Sequence, residues 1–513
     1  MMEHGLLSRR RLLTHGACAA VGLWGRRAFA LGAECSAVVK TGLGTLVGEC
    51  GQGVRVFRGV PFAAPPVGDL RFRAPAKALA WTGERDATRF GASAPQPREQ
   101  GVTHSEDCLY LNLWAPQGKG PFPVYVWIHG GGFTGGHAFE PVYDGTMLAQ
   151  QGVICITVGY RLGVLGFLDV EPMLGREYAG SANNGLRDLM AALSWVQAHV
   201  ADFGGDPGRV TVGGESAGAK LTDILMGIPA ARPLFSQMIS ESGGAERVWP
   251  HAVAQSIGSG FAEKWRASSG LTDRDLLTAS SDLLLVAQEK MIAEWPQHFP
   301  LRPEIDGTLV PRLPIQAIDA GSCKGKRLLI GTNRDESALF VGPHPGHDAS
   351  AAELGNMPQK EFVGIYAQYK RLYPEMTDDQ LRIRALTAEE YWIPSVRVAD
   401  AHVKAGGKAW MYRLDFAEAR GRLANFAYHS LDVGLVWDKP HPGIGNDADE
   451  SALAVTMQSA WASFIRGGAP VAAGLPEWPE YETGNRKTMI LDVHSGVVDH
   501  PQKAELALWD GKL

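Results

Sequence analysis

Short apolar runs that end in glycine set the rhythm of this chain. Val124–Ile128 leads into Gly130-Gly131-Gly132, Val153–Val158 into Gly159, Val210–Val212 into Gly213-Gly214, and Arg327–Ile330 into Gly331. Runs of this length, rich in β-branched residues and closed by glycine, predict buried strands. Between the second and third runs, Leu189, Ala192, Leu193 and Val196 recur at helical spacing. Strand, helix, strand in succession requires crossovers, and these predict a mostly parallel sheet with helices on both faces. Near the start, Ala37–Lys40 and Thr45–Val47 flank Gly42-Leu43-Gly44, which reads as a hairpin. If Val39 faces Leu46 in that hairpin, Cys35 faces Cys50.

Composition narrows the picture without naming a chemistry. The chain has 513 residues, 45% apolar and 20% charged, the balance of an ordinary globular protein able to bury a large core. The formal charge is −6 and no Lys/Arg-rich run occurs beyond the N-terminus, so a nucleic-acid footprint is missing. No apolar stretch reaches 18 residues, which excludes a transmembrane helix on sequence grounds. Length alone would allow three domains. No repeat, low-complexity tract or long linker divides residues 31–513, so one domain is expected. Glycine is abundant, at 62 residues, and many glycines fall where strands end, the place where open α/β sheets build ligand sites.

Residues 1–30 have the marks of a targeting segment. Ser8-Arg9-Arg10-Arg11-Leu12-Leu13 opens a mildly apolar run to Gly25, and Ala28-Phe29-Ala30 supplies an A-x-A cleavage site. The paired arginines resemble a twin-arginine export signal. Cleavage after Ala30 would remove five arginines and one glutamate, moving the formal charge from −6 to −10. Export to the periplasm or beyond would permit disulfides, which makes Cys35–Cys50 the expected bridge. Cys155, inside an apolar run, is expected to be a buried small hydrophobe.

Chemistry enters with Gly214-Glu215-Ser216-Ala217-Gly218. This is G-x-S-x-G placed between a β-rich run and a helix-compatible segment, Ala219 to Met226. Such a strand-to-helix turn holds the serine in a strained conformation with Oγ exposed, and the helix N-terminus favours negative charge there. Acyl transfer also needs backbone N–H groups aimed at the developing oxyanion. His129-Gly130-Gly131-Gly132 at a strand end is an HGGG-type loop that supplies them, so Gly131, Gly132 and Ala217 are the expected donors. His344-Pro-Gly-His347 is read as a solvent loop. No metal and no cofactor is expected.

At this point the sequence resembles the type-B carboxylesterase/lipase family, the cholinesterase-like α/β-hydrolases. Phe203–Pro207 leading into Gly213–Gly218 and Glu106–Trp114 carry the likeness; Arg58–Ala63 with Leu70-Arg71-Phe72, Tyr160–Gly163 and Trp461–Phe464 extend it over the chain. The resemblance implies an α/β-hydrolase fold with large insertions and a Ser-His-Glu triad. Asn333-Arg334-Asp335-Glu336 matches the family's acid context and His429-Ser430-Leu431-Asp432 its histidine context. Ser216, Glu336 and His429 also follow the nucleophile–acid–histidine order of that fold, with Asp335 as the rival acid. By the same resemblance Ser242 supports the acid–histidine pair and Trp249 lines the acyl pocket.

Departures from the family pattern also carry information. Cys108 lacks its usual upstream partner, since Ala94 stands in the matching loop, and residues 91–107 hold no tryptophan to grip choline. The expectation is therefore a serine carboxylesterase acting on small or larger carboxylic esters that are not choline esters. The same triad could cleave amides, lactones or thioesters, and related folds also serve as non-catalytic binding modules. Neither substrate nor oligomeric state is legible.

Overall fold

The computed structural model describes residues 36–97, 99–342, 355–438 and 448–512. The twin-arginine segment, Cys35 and the His344–His347 pair lie outside the described residues. The strands are β1 (Ser36–Thr41), β2 (Gly44–Gly51), β3 (Val54–Pro61), β4 (Glu84–Asp86), β5 (Tyr110–Pro116), β6 (Phe122–Ile128), β7 (Ile154–Val158) and β8 (Gly205–Glu215). They continue with β9 (Gln237–Glu241), β10 (Trp249–Pro250), β11 (Glu304–Ile305), β12 (Arg327–Asn333), β13 (Lys408–Leu414), β14 (Thr488–Leu491) and β15 (Gly496–Val498).

Among the described residues thirteen strands form one sheet in the order β1-β2-β3-β5-β7-β6-β8-β9-β12-β13-β14-β15, with β4 beside β2. From β7 through β14 every neighbouring pair is parallel, and the antiparallel pairs lie toward the two edges. This is the mostly parallel sheet that the alternation of strands and helices predicts. All four apolar runs are strands in it. The spacing of Leu189 to Val196 belongs to the helix Asn184–His199, whose buried residues include those four positions. Strands β6 and β7 are buried at nearly every position, as required of strands covered on both faces.

The hairpin has the expected register, with Val39 opposite Leu46 and Ser36 opposite Glu49. Cys50 is disulfide-bonded. Its expected partner, Cys35, is outside the described residues. Cys108, Cys155 and Cys323 are free and buried.

Several stretches that gave the family likeness clamp one another. Arg71 Nε donates to Glu106 Oε2 at 2.8 Å, and its Nη1 donates to the carbonyls of Leu276 and Ala279. Arg161 grips Asp188 through Nε and Nη2 at 2.8 and 2.7 Å, both residues fully buried. Two-pronged pairs of this kind combine charge with fixed geometry. The first ties the loop after β3 to the segment before β5, and the second ties the loop after β7 to the helix Asn184–His199.

Candidate active site

Ser216 stands where β8 ends and the helix Ala217–Met226 begins, at φ 55° and ψ −122°. A serine at positive φ is strained, and its surroundings must hold it there. Its N–H donates to Glu241 O on β9 at 2.9 Å, and Trp461 Nε1 secures the Glu241 carboxylate at 2.7 Å. The glycines around Ser216 answer to space. A Cβ on Gly218 would lie 2.0 Å from Ile128 O, and one on Gly214 2.3 Å from the same oxygen. The turn is therefore pressed against the end of β6.

The glycine loop begins at that end of β6. A Cβ on Gly130 would meet Glu215 Oε2 at 2.8 Å and Ser216 Cβ at 3.1 Å, so the loop and the elbow touch. Gly131 and Gly132 both take positive φ, 107° and 60°. Among the described residues no hydrogen bond leaves the backbone N–H groups of Gly131, Gly132 or Ala217. His129 braces the loop: its Nδ1 lies 2.8 Å from Gly130 O, and its ring stacks on Tyr160, whose hydroxyl donates to His129 O. Burial lowers the His129 pKa to about 3, which leaves the ring neutral.

Glu336 and His429 meet below the sheet's carboxyl edge. His429 Nδ1 donates to Glu336 Oε2 at 2.5 Å, while Glu336 Oε1 accepts from the Ser242 hydroxyl and from Asn333 N–H at 2.7 Å. The rival acid faces elsewhere. Asp335 Oδ2 accepts from Arg334 Nε and Ala427 N–H, at 2.9 and 3.0 Å. Asn333 Nδ2 donates to Tyr428 O and Asp432 Oδ1, and Tyr412 hydroxyl donates to Asp432 Oδ2. The two four-residue motifs thus clasp each other, which fixes the imidazole on the carboxylate.

The other imidazole nitrogen shows what sequence reading missed. His429 Nε2 lies 3.1 Å from Glu215 Oε1, an oxygen that also accepts from the Ser430 hydroxyl at 2.6 Å. Among the described residues no hydrogen bond joins Ser216 Oγ to His429. Catalytic hydrogen bonds often tighten only once substrate is bound, so the arrangement leaves Ser216 eligible. Burial raises the Glu215 carboxyl to about 7, against the pull of His429, and burial also raises Glu336, against the Ser242 and Asn333 donors. The same burial lowers His429. Lys220, one helical turn beyond Ser216, is buried with Nζ 3.3 Å from Ser242 O, 3.4 Å from Glu390 Oε1 and 4.3 Å from the Tyr391 ring centroid. Burial and the nearby Arg247 hold its pKa well below the lysine range.

Trp249 sits on β10 with Nε1 donating to Pro300 O at 2.7 Å and the Arg302 guanidinium 4.1 Å from its ring centroid. The ring beside Gly132 is that of Phe299, which a Gly132 Cβ would approach at 2.7 Å. Phe299 packs edge-on to Phe340, and Phe340 lies 5.1 Å from the His429 ring, with Tyr391 at 4.8 Å on that ring as well. Phe299 has a left-handed backbone, φ 52°, in a stretch without periodicity, so no pattern in the sequence announces it.

Proteins similar to this chain are esterases. The sequence profile of the carboxylesterase family matches residues 35–509. The para-nitrobenzyl esterase of Bacillus subtilis is 36% identical over 91% of this chain and 96% of its own length. The fumonisin B1 esterase of Sphingopyxis macrogoltabida is 34% identical over 86% and 84%. The liver carboxylesterase of Sus scrofa is 31% identical over 93% of each chain. Among solved structures, a PNB esterase superposes with a TM-score of 0.80 at 33% identity, and a Geobacillus stearothermophilus carboxylesterase with 0.81 at 34%. Both likenesses cover 92% of this chain and 99% of the other, which makes the fold that of the α/β-hydrolases. A family profile matched from residue 35 to 509, with relatives at 31–36% identity over most of their length, shows that the chain belongs to the carboxylesterase family and is a carboxylic ester hydrolase.

Proposed function

We propose that the chain hydrolyses carboxylic esters through an acyl-enzyme on Ser216, with His429 as base and Glu336 as its orienting carboxylate. The observation that carries this reading is the His429 Nδ1–Glu336 Oε2 bond of 2.5 Å beside the strained Ser216 turn. Substrate entry moves Nε2 from Glu215 toward Ser216 Oγ. The hydroxyl then gives its proton to Nε2 as Oγ attacks the carbonyl. Gly131, Gly132 and Ala217 donate their free N–H groups to the oxyanion, and Glu336 stabilises the imidazolium. His429 returns the proton to the departing alcohol, and water repeats the sequence on the acyl-enzyme.

The reading is supported further by the relatives' printed activities, all of them esterases. Choline esters are not the proposed substrates, because residues 91–107 hold no tryptophan. Export through a twin-arginine signal and cleavage after Ala30 are part of the same proposal, and the bond at Cys50 suits an oxidising compartment. Labelling by a fluorophosphonate probe tests the nucleophile. The wild type is expected to label and to turn over p-nitrophenyl esters, and Ser216→Ala to do neither while keeping its Tm. Turnover retained by clean Ser216→Ala protein rejects the assignment.

A further inference from the structure

Asp169, His251 and Glu304 converge on one point although 82 and 53 residues separate them in sequence. Asp169 follows the short helix Gly163–Phe167, His251 opens the helix His251–Ser269, and Glu304 lies on β11, the partner of β10. Their approach is built into the backbone. A Cβ on Gly258 would lie 2.3 Å from Asp169 O, so the His251 helix rests on the Asp169 main chain. Asn183 holds Glu304 from both sides, with Nδ2 donating to Glu304 O and Oδ1 accepting from Glu304 N–H, each at 3.0 Å.

The donor atoms are incompletely used. Asp169 is 1% exposed and Glu304 0%, yet among the described residues Asp169 Oδ2 and Glu304 Oε1 have no hydrogen-bond partner. His251 Nδ1 lies 2.8 Å from Glu304 Oε2 and 4.0 Å from Asp169 Oδ2, and one donor from each residue falls within 4.8 Å of the others. The His251 side chain is 44% exposed, which leaves a route from solvent. Two carboxylates face one imidazole here, with Asp306 and Glu171 adding negative potential nearby. Burying unpaired carboxylate oxygens is costly unless a proton or a cation compensates them.

We propose that Asp169, His251 and Glu304 form a divalent-cation site of the zinc class. Ligands bonded at about 2.0–2.2 Å around a tetrahedral ion stand roughly 3–3.5 Å apart, so small side-chain adjustments close the three donors on one ion. Imidazole as a ligand favours zinc over calcium or magnesium, which take all-oxygen shells. The site shares no residue with the serine–histidine–glutamate cluster. Its place fits a structural role, since an ion there ties the Trp249–Glu304 ribbon and the His251 helix to the loop at Asp169.

The test uses the enzyme stripped with EDTA, transferred to chelator-free buffer and titrated with ZnCl2 by calorimetry, with Tm followed in parallel. Wild type is expected to take up one equivalent of zinc and to rise in Tm, with CaCl2 at least tenfold weaker. His251→Ala, at a half-exposed position, and the isosteric Glu304→Gln are expected to weaken zinc binding at least tenfold. Should Glu304→Gln fail to fold, His251→Ala and Asp169→Asn decide. No uptake of one equivalent, or equal uptake by wild type and His251→Ala, overturns the site. Tighter binding of calcium than of zinc overturns its assigned class.

Discussion

Glu215 Oε1 lies 3.1 Å from His429 Nε2, on the side of the ring opposite Glu336. The imidazole is therefore held between two carboxylates, and the residue that precedes Ser216 occupies the nitrogen that Ser216 needs in the proposed mechanism. Glu215 raises the His429 pKa while burial lowers it. Replacing Glu215 by glutamine removes the upward pull. The acid limb of kcat/KM is expected to move to lower pH in Glu215→Gln, read from pH profiles on a p-nitrophenyl ester. Stability moves the other way. A carboxyl raised to about 7 contributes most below its ordinary value near 4.5 and loses that contribution as pH rises through about 7. Glu215→Gln is thus expected to gain on wild type between pH 5 and pH 8, by up to about 3 kcal/mol in denaturant unfolding.

Ser242 gives Glu336 one of its two donors besides His429. Without that hydroxyl the buried carboxylate loses a charge-assisted hydrogen bond, a loss of about 1.5–3 kcal/mol. Ser242→Ala should lower kcat at pH 7 by about tenfold or more and shift the acid limb upward, because Glu336 then holds its proton to higher pH. A purely structural role would lower Tm and leave the pH profile where it is.

Phe299 fills the space beside Gly132 and leans on Phe340, which reaches the His429 ring. Phe299→Ala opens that side. The ratio of kcat/KM for a bulky or branched acyl ester to that for an acetyl ester is expected to rise by about tenfold, the scale set by a few methylenes in an apolar pocket. An unchanged ratio would place the acyl group elsewhere.

Gly218→Ala places a methyl group 2.0 Å from Ile128 O. Backbone cannot yield there as a flexible side chain would, so the elbow or β6 must shift. The expected cost is about 1–3 kcal/mol in urea unfolding, with loss of most ester turnover. Wild-type stability in this variant would mean that the strand and the elbow have more room than their contact allows.

Much of this architecture was legible from local pattern. The four glycine-ended strands, the Val39–Leu46 register and the Ser216 elbow each follow from side-chain periodicity or turn chemistry confined to a few residues. Glu336 and His429 needed the family resemblance, because their 93-residue separation leaves no periodic trace. Glu215 was in view as part of the nucleophile motif, yet its hold on Nε2 depends on how the loop before Leu431 folds back. Phe299 and the Asp169–His251–Glu304 group are products of tertiary approach alone. Lys220 shows the same limit, since a lysine in a helix reads as a solvated face until the burial of every residue from Ala217 to Met226 is known.

The contact of Gly214 and Gly218 with Ile128 O has a meaning for how such a protein can diversify. Segments 122–132 and 205–226 interlock there, backbone against backbone, so they are best treated as one cassette. Room for variation is greater outside the cassette, around Phe299, Phe340 and Tyr391, whose rings surround Gly132 and His429. Libraries aimed at new substrates would be best spent there, with the cassette left intact.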